Sequence, residues 1–270
     1  MKITDYASIS AFTEDNILLV DGNSGTKKIT VGEAMLGMLH LLSVKNHKTV
    51  FRGKNLGTSL TSAQKAAIQA GTFEDLWLGD YWVINGINWR IVDFDYWYNS
   101  GDTKFTKHHL VIMPDKGLYL ARMNNTGTTV SGGYANSDMR TKNLANARNT
   151  VSSAFGSALL THREYLSDAE SGGHVTSAAW YNSDVDIPNE IMIYGCNIMA
   201  SGTDGSSLAF KGTNSYKQLA LFRTTSDFRS DMWLRDISAI DRFTYEDSAG
   251  VVTFGQADYQ VNVRPVFAIG

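Results

Sequence analysis

Two short stretches near the end of the chain decide the fold prediction: Trp233-Leu234-Arg235, and Val263-Arg264-Pro265-Val266-Phe267. The segment between them is polar, and residues 227–245 mix Arg, Asp, Ser, Phe and Tyr without the alternation of a strand or the 3.6-residue period of a helix. Such a segment is poor core material but suits a contact surface, because aromatic and arginine side chains dominate binding sites. An ordinary solvated surface of mixed charge is the alternative interpretation.

The composition is that of an ordinary globular protein. The chain has 270 residues, 43% of them hydrophobic and 19% charged, with a formal net charge of -3. This length allows one large core with an appendage. No basic run is present to attract a phosphate backbone, so we expect no nucleic-acid partner. A single cysteine, Cys196, excludes an intrachain disulfide and is predicted to be a buried free thiol.

Neither a membrane span nor a secretory signal is predicted. The longest apolar runs, at residues 34–42 and 191–193, are far shorter than the roughly 20 residues that a spanning helix needs. Residues 1–6 include an acid and are not followed by an apolar region, unlike a signal peptide. We therefore expect no membrane insertion, and synthesis and assembly in a cytoplasm.

The first 45 residues predict a small module made of a β-hairpin and a helix. Apolar runs at residues 17–20 and 27–31 flank the turn-forming segment Asp21-Gly22-Asn23-Ser24-Gly25. A helix is expected from Gly32 to Leu42, with one apolar face. That face carries Met35, Met38, Leu39 and Leu42.

This opening resembles a leader segment found on tail, fibre and appendage proteins of tailed bacteriophages. The resemblance lies in Lys2-Ile3-Thr4-Asp5, Asn16-Ile17-Leu18-Leu19-Val20-Asp21 and Gly25-Thr26-Lys27-Lys28-Ile29-Thr30-Val31. It implies that residues 1–45 attach the protein to other virion proteins or trimerise it. A plain hairpin packed on its own domain is the alternative.

Residues 46–75 are predicted to be a linker that contains one helix. Thr61 or Ser62 is the expected N-cap, and Gly71 lies just past the expected end of this helix. From residue 76 to 270 we expect one main domain. It begins with strands on either side of Asn85-Gly86, a dipeptide typical of a tight hairpin turn.

The rest of the main domain mixes helices with strands, so the predicted class is α+β. The predicted elements are strands at residues 110–113 and 118–120, a helix capped by Ser137 that runs toward Phe155, a core segment at 159–166, and a buried strand at 191–194. Polar loops rich in Gly and Ser are predicted around residues 171–178 and 201–213.

The segment from Asp80 to Gly270 is similar to an uncharacterised family of phage minor structural proteins. The similar stretches are His109 to Lys116, Met123 to Thr126, Gly132 to Arg140 and the two terminal stretches quoted first. Those domains resemble the C-type-lectin-like class, which includes phage receptor-binding proteins diversified by retroelements. The resemblance implies a C-type-lectin-like domain in a virion protein that adheres to a host-surface protein or glycan, as a homotrimer.

In this resemblance a rigid frame holds out a variable face. The frame residues would be Trp233, Leu234, Arg264, Pro265, Val266 and Phe267. The candidate ligand-binding residues are Phe228, Arg229, Asp231, Arg235, Asp236, Ser238, Ile240, Asp241, Arg242, Tyr245, Asp258 and Tyr259. Two other functions stay open: a head-decoration or tail-scaffold protein that contacts only virion proteins, and a glycan hydrolase.

No catalytic residue or cofactor is predicted, and the chain is not expected to be an enzyme. Each histidine is predicted to be exposed or hydrogen-bonded. The pairs Asp93 with Asp95 and Asp184 with Asp186 could place two acids on one strand face, as a glycosidase or a calcium site needs. Weak calcium binding at Asp184 and Asp186 therefore stays open, although Ile187 stands where the lectin sugar motif has an acid.

Overall fold

The computed structural model describes residues 17–20, 27–34, 47–125, 127–200 and 217–270. Its contacts divide the chain into two compact units, Met1–Asn46 and His47–Gly270. Within the described ranges, no helix has the length and apolar character required to cross a membrane.

The smaller unit contains the predicted hairpin. Strand β1 (Ile17–Val20) pairs antiparallel with β2 (Lys27–Thr30). Residues 31–34 are helical, and Thr30 and Glu33 cap this start reciprocally. The backbone N–H and hydroxyl of Thr30 donate to the Glu33 carboxylate, and the N–H of Glu33 donates to the Thr30 hydroxyl. The leader residues 2–5, the turn at 21–25 and the predicted apolar helix face lie outside the described residues.

The larger unit contains thirteen of the described strands and four α-helices. The strands are β3 (Tyr81–Ile84), β4 (Ile87–Phe94), β5 (Leu110–Pro114), β6 (Tyr119–Ala121), β7 (Leu159–Leu160), β8 (His162–Ser171), β9 (His174–Ser183), β10 (Val185–Asp186), β11 (Met232–Ala239), β12 (Arg242–Glu246), β13 (Val252–Gln256), β14 (Val261–Val263) and β15 (Val266–Ile269). The helices are α1 (Ser62–Gln69), α2 (Leu144–Phe155), α3 (Glu190–Tyr194) and α4 (Ala220–Thr224). This mixture agrees with the α+β class.

The main sheet is antiparallel and has the order β10-β15-β5-β4-β3, with β7 also paired to β15. The last strand therefore lies inside this sheet rather than at its edge. The predicted turn between β3 and β4 is confirmed, because Asn85 and Gly86 both have positive φ, 53° and 76°, as a tight two-residue hairpin requires.

Three smaller sheets complete the unit: β11-β12-β13, β6 with β14, and β8 with β9. The β8–β9 hairpin contradicts the loop predicted at residues 171–178. Its strands meet at Gly172-Gly173, both with positive φ. Ser177 and its neighbours face solvent on a two-stranded ribbon, so these positions do not need the apolar alternation that marks a half-buried strand.

Two helices follow the sequence pattern closely. Thr61 caps α1, and its hydroxyl accepts the N–H of Gln64, whose side chain in turn accepts the N–H of Thr61. Ser137 accepts the N–H of Arg140 at 3.3 Å. This contact lies at the start of a π-helical turn (Met139–Asn143) that leads directly into α2.

The strand predicted at residues 191–194 is wrong, because this segment is helix α3. The Asn189 side chain accepts the N–H of Met192 at 2.8 Å, and Gly195 ends the helix in the left-handed region with φ of 84°. A short apolar run has no periodicity that separates a strand from a buried helical turn.

Residues 47–75 are part of the larger unit and not a separate linker. Ile68 of α1 and Phe73 are buried in the main hydrophobic core. The same core contains Trp89 and Phe267, whose ring centroids lie 5.6 Å apart. The boundary between the units consequently falls between residues 46 and 47.

Candidate ligand-binding surface

The frame under the candidate surface is closed by Arg264, a fully buried arginine at the entrance to β15. Its Nε donates to the carbonyl of Pro114 at 2.6 Å, and its Nη1 donates to the carbonyl of Phe228 at 2.5 Å. Burial lowers the pKa of Arg264 to about 10, so the group is still cationic at neutral pH. This arginine therefore ties the last strand to the segment that enters β11.

Trp233 on β11 and Phe267 on β15 belong to one hydrophobic core. The indole N–H of Trp233 donates to the carbonyl of Ala121 at 2.8 Å, which fixes β11 against β6. All six residues predicted to form the frame are buried. The three-stranded sheet β11-β12-β13 is thus fastened to the main core along β11.

Exposed large apolar side chains concentrate on this three-stranded sheet. Eight such side chains are exposed among the described residues, and four of them fall within residues 240–259. Those four are Ile240, Val251, Phe254 and Tyr259. Ile240 lies in the β11–β12 turn, Val251 in the β12–β13 turn, and Phe254 on β13, which is an edge strand. We call these turns, β12, β13 and Tyr259 the sheet rim.

One face of the sheet rim combines an aromatic ring with a cation. Phe254 is paired with Thr244 across β12 and β13. The guanidinium of Arg242 lies 5.0 Å from the centroid of the Phe254 ring. Asp241 lies 3.4 Å from Arg242 and keeps the local charge balanced. An arginine held over an exposed aromatic ring is typical of residues that anchor a partner.

The opposite face of the sheet rim carries two tyrosines packed over a glycine. A Cβ at Gly255 would lie 2.9 Å from Cδ2 of Tyr259 and 3.1 Å from Cε1 of Tyr245, so only glycine leaves room for both rings. Tyr245 also packs edge-on against Trp233, with centroids 5.7 Å apart. Burial and the nearby carboxylate of Asp231 raise the pKa of Tyr245, which stays a neutral hydrogen-bonding group.

A pocket of about 320 Å³ adjoins Tyr259 along the chain. Its lining consists of Tyr119, Leu120, Ala121, Arg122, Asn125, Asn143, Asn146 and Gln260. The strand pair β6–β14 brings these segments together, with Val261 opposite Ala121. The polar side chains of the lining are amides, one arginine and the Tyr119 hydroxyl, without a carboxylate. Amides both donate and accept hydrogen bonds, so they match the hydroxyl groups of a neutral sugar.

The predicted ligand-binding residues occupy unequal positions. Ile240 and Tyr259 are exposed, and nine others are half-buried: Phe228, Arg229, Asp231, Asp236, Ser238, Asp241, Arg242, Tyr245 and Asp258. Some of the half-buried residues have structural partners. Arg229 lies over the ring of Tyr194 at 4.6 Å, and Asp236 accepts the N–H of Glu190 at 2.6 Å.

The prediction that Arg235 is displayed for ligand binding is wrong, because this residue is only 6% exposed. Its Nη2 lies 3.2 Å from the carboxylate of Glu164 on β8, which is also buried. Residues 232–235 of β11 are all buried, so both faces of the strand are covered at Arg235. Its charge therefore serves the interior and not a ligand.

Three exposed residues at or beside the sheet rim were not predicted from the sequence: Val251, Phe254 and Leu120. Phe254 stands in the alternating segment Val252-Thr253-Phe254-Gly255-Gln256, which is the pattern of a half-buried strand. That alternation could have placed Phe254 on a strand, but not on an exposed edge. Leu120 gives no comparable signal, because its exposure follows from the pairing of β6 with β14.

The carboxylates considered for catalysis or calcium binding have protein partners. Asp93 is buried and accepts the N–H groups of Phe94 and Ala220, which fixes the start of α4. Asp184 pairs with Arg148 at 2.9 Å, and Asp186 accepts from Tyr134 and Ser183. The part of the chain that the structure describes holds no cluster of three or more His, Cys, Asp or Glu side chains fit for a metal ion.

The buried thiol prediction is wrong, because Cys196 is exposed just after α3. It follows Gly195, where the chain leaves the helix in the left-handed conformation and turns toward solvent.

The candidate surface consists of the sheet rim and the adjoining pocket. No protein-family model, curated protein or solved structure matches this chain.

Proposed function

We propose that this chain is a bacteriophage virion protein that binds the host-cell surface through the sheet rim. The observation that carries the proposal is the concentration of exposed large apolar side chains within residues 240–259. They lie at both turns of one small sheet, on its unpaired edge strand and just after it, where a partner can reach them. The rim is fastened to a rigid core, which suits a surface that keeps its shape while it binds.

The proposal includes a C-type-lectin-like fold for the larger unit. Support comes from the last strand, which lies inside the main sheet, and from Arg264, which joins it to the entrance of β11. Such a frame tolerates substitutions on the sheet rim, because exposed rim side chains contribute little to the core. Diversification by a retroelement would act on those positions.

The ligand is a host-surface protein or glycan. A protein partner would use the apolar rim and the Arg242–Phe254 stack. A glycan would use Tyr259 as a stacking platform and the adjoining amide-lined pocket for its hydroxyl groups. The module at residues 1–45 would contact other virion proteins and trimerise the chain, so that several weak sites act together.

The test compares two phenylalanines of equal exposure. Phe254 on the rim is 41% exposed, and Phe51 outside it is 42% exposed. We expect Phe254→Ser to weaken binding to host cells by about tenfold or more, as removal of an anchoring side chain does. Phe51→Ser should bind like the wild type. Ile240→Ser and Tyr259→Ala extend the test along the rim.

Binding is measured on whole cells and on cells stripped of surface glycan, with thermal unfolding as the folding control. Equal loss of binding in the Phe254 and Phe51 variants would reject the rim as the site. A wild-type protein that binds no cells but co-assembles with capsid or tail proteins would favour the head-decoration or tail-scaffold alternative.

A further inference from the structure

A second pocket lies where the loop at residues 103–105 meets the β8–β9 hairpin. Its volume is about 310 Å³, near the lower limit for small-molecule pockets. The lining consists of Thr103, Lys104, Phe105, Thr161, His162, Arg163 and Asn182. None of these residues belongs to the sheet rim, so this pocket is independent of the proposed adhesion site.

His162 is the unusual member of this lining. Its side chain is only 2% exposed, yet neither ring nitrogen has a hydrogen-bond partner within the described ranges. The nearest acid oxygen, Oε1 of Glu164, lies 3.6 Å from Nε2. That oxygen already accepts the indole N–H of Trp97 at 2.6 Å. This contradicts the prediction that each histidine is exposed or hydrogen-bonded.

Buried polar groups almost always have partners, and an unpaired one costs about 1–3 kcal/mol. The neighbouring His109 follows this rule. Its Nδ1 lies 2.9 Å from the carbonyl of Lys107, and its Nε2 accepts the backbone N–H of Trp97 at 3.2 Å. Both imidazoles stack on the Trp97 ring, with centroids 3.9 Å away for His162 and 5.8 Å away for His109. Both histidines thus stack on the same ring, but only the ring nitrogens of His109 have hydrogen-bond partners among the described residues. Those of His162 are available to a ligand.

The charged side chains that line the pocket favour an anion, and the Glu164 carboxylate near His162 is paired with Arg235 at 3.2 Å. Lys104 and Arg163 line the pocket, and no carboxylate side chain does. Asp102 holds Arg163 with two hydrogen bonds, of 2.8 and 2.9 Å, so Arg163 is fixed in place and its charge is largely balanced. Lys104 is exposed at the mouth of the pocket and supplies the remaining positive charge. Thr103, Thr161 and Asn182 add further hydrogen-bonding groups.

We propose that this pocket binds the oxyanion group, phosphate or carboxylate, of a small ligand. His162 is the buried hydrogen-bond donor to that group, and Lys104 is its charge partner. Phe105, at 9% exposure, forms an apolar wall against the body of the ligand. The volume admits a group of about monosaccharide size.

The experiment uses the full chain with ¹⁵N-labelled histidine and titrates inorganic phosphate and, separately, sodium acetate. We expect a saturable shift of the His162 ring resonances with at least one of the two anions. Sodium chloride at the same ionic strength should not reproduce it. A response to phosphate alone assigns a phosphate group, and a response to acetate alone assigns a carboxylate.

Variants separate binding from folding. His162→Phe keeps the aromatic stack on Trp97 but removes both nitrogens, and we expect its affinity for the anion to fall by about tenfold or more. Lys104→Ala, an exposed change that leaves the core untouched, should weaken binding several-fold, whereas Lys116→Ala should not. Anion binding by the two lysine variants is measured from the shift of the His162 resonance, and anion binding by His162→Phe is measured by calorimetry.

The proposal is overturned if neither anion produces a saturable shift, or if chloride produces the same one. It is also overturned if folded His162→Phe binds the anion like the wild type, or if Lys104→Ala and Lys116→Ala behave alike. None of these results depends on cell adhesion, so failure here and failure of the sheet rim are distinguishable.

Discussion

Glu246 is a buried carboxyl group on the central strand of the three-stranded sheet. Burial raises its pKa from 4.5 to about 8, although Arg264 and Arg229 attract its negative form. Between those two pH values the folded chain holds a proton that the unfolded chain has lost. The stabilising contribution of Glu246 is therefore complete below the unfolded pKa and disappears as the pH rises through about 8.

We predict that the free energy of unfolding falls between about pH 6.5 and pH 9, and that Glu246→Gln removes most of this fall. Glutamine keeps the shape of the side chain and cannot ionise. Urea unfolding at the two pH values measures the effect. Glu74→Gln, at an exposed position, serves as the control and should keep the wild-type slope. An unchanged slope in Glu246→Gln would contradict the buried neutral carboxyl.

His109 makes the opposite contribution. Burial lowers its pKa from 6.5 to about 4, and its Nε2 must be unprotonated to accept the N–H of Trp97. The folded chain therefore binds fewer protons than the unfolded chain between these pH values. Stability from this group is present above the unfolded pKa and is lost as the pH falls through about 4.

We predict that His109→Gln reduces the loss of stability between about pH 6.5 and pH 4 by on the order of 3 kcal/mol. The comparison is with His174→Gln, because His174 is exposed. Both variants are unfolded in urea across the acid range. Parallel curves for the His109 variant and the wild type would show that His109 already titrates normally in the folded state.

Residue-scale burial was the least predictable property. Arg235 stands in a polar sequence and was expected on the surface, but its partner Glu164 lies on β8, far away in the chain. His162 was misjudged for the same reason. Local sequence reports periodicity, whereas the burial of one polar side chain depends on which distant strand packs against it.

At the scale of elements, Gly133 holds the loop before α2 against β8. A Cβ at Gly133 would lie 2.5 Å from the carbonyl carbon and oxygen of Ser167. Gly172, in the β8–β9 turn, has nearly the same φ, 66° against 63°, but its Cβ would meet nothing within 4 Å. Alanine would have similar backbone strain at either position, but only at Gly133 would its Cβ also clash with a neighbour.

We predict that Gly172→Ala costs about 1 kcal/mol, the penalty of a left-handed alanine. Gly133→Ala should cost several kcal/mol more, because the carbonyl of Ser167 belongs to a strand and cannot move away freely. Urea unfolding of both variants gives the difference directly. Equal destabilisation by the two substitutions would show that the loop shifts without cost.

Two elements whose ends carry a capping residue or a turn dipeptide were predicted well. The Asn85-Gly86 turn and the Thr61 cap mark their elements through local hydrogen bonds and dihedral angles that the sequence specifies. Residues 191–194 and 171–178 were predicted wrongly although each has a local signal: Asn189 caps the first and Gly195 ends it, and Gly172-Gly173 forms the turn in the second. The apolar run of the first is too short for its period to be measured, and the second forms a solvated ribbon whose strands need no apolar alternation.

At the scale of the whole molecule, the expectation that Trp233 and Phe267 share one core came from a resemblance and is confirmed by their burial in one cluster. The position of β15 between β5 and β10 could not be read from the sequence, because β5 lies about half the chain away. The sheet rim was located approximately. Ile240, Arg242 and Tyr259 were among the predicted residues, whereas Phe254 was not, since exposure on an edge strand depends on which strands remain unpaired.

The division of contacts between residues 46 and 47 leads to the last prediction. The larger unit contains the main core and the sheet rim, so a fragment of residues 47–270 should fold with nearly the melting temperature of that unit in the full chain. If residues 1–45 trimerise the protein, the fragment is a monomer in analytical ultracentrifugation and the full chain is a trimer. Binding to one isolated receptor is then equal for both, whereas binding to cells weakens by about 10²–10⁴ in the fragment, because avidity is lost. A monomeric full chain, or a trimeric fragment, would place the oligomer contacts elsewhere.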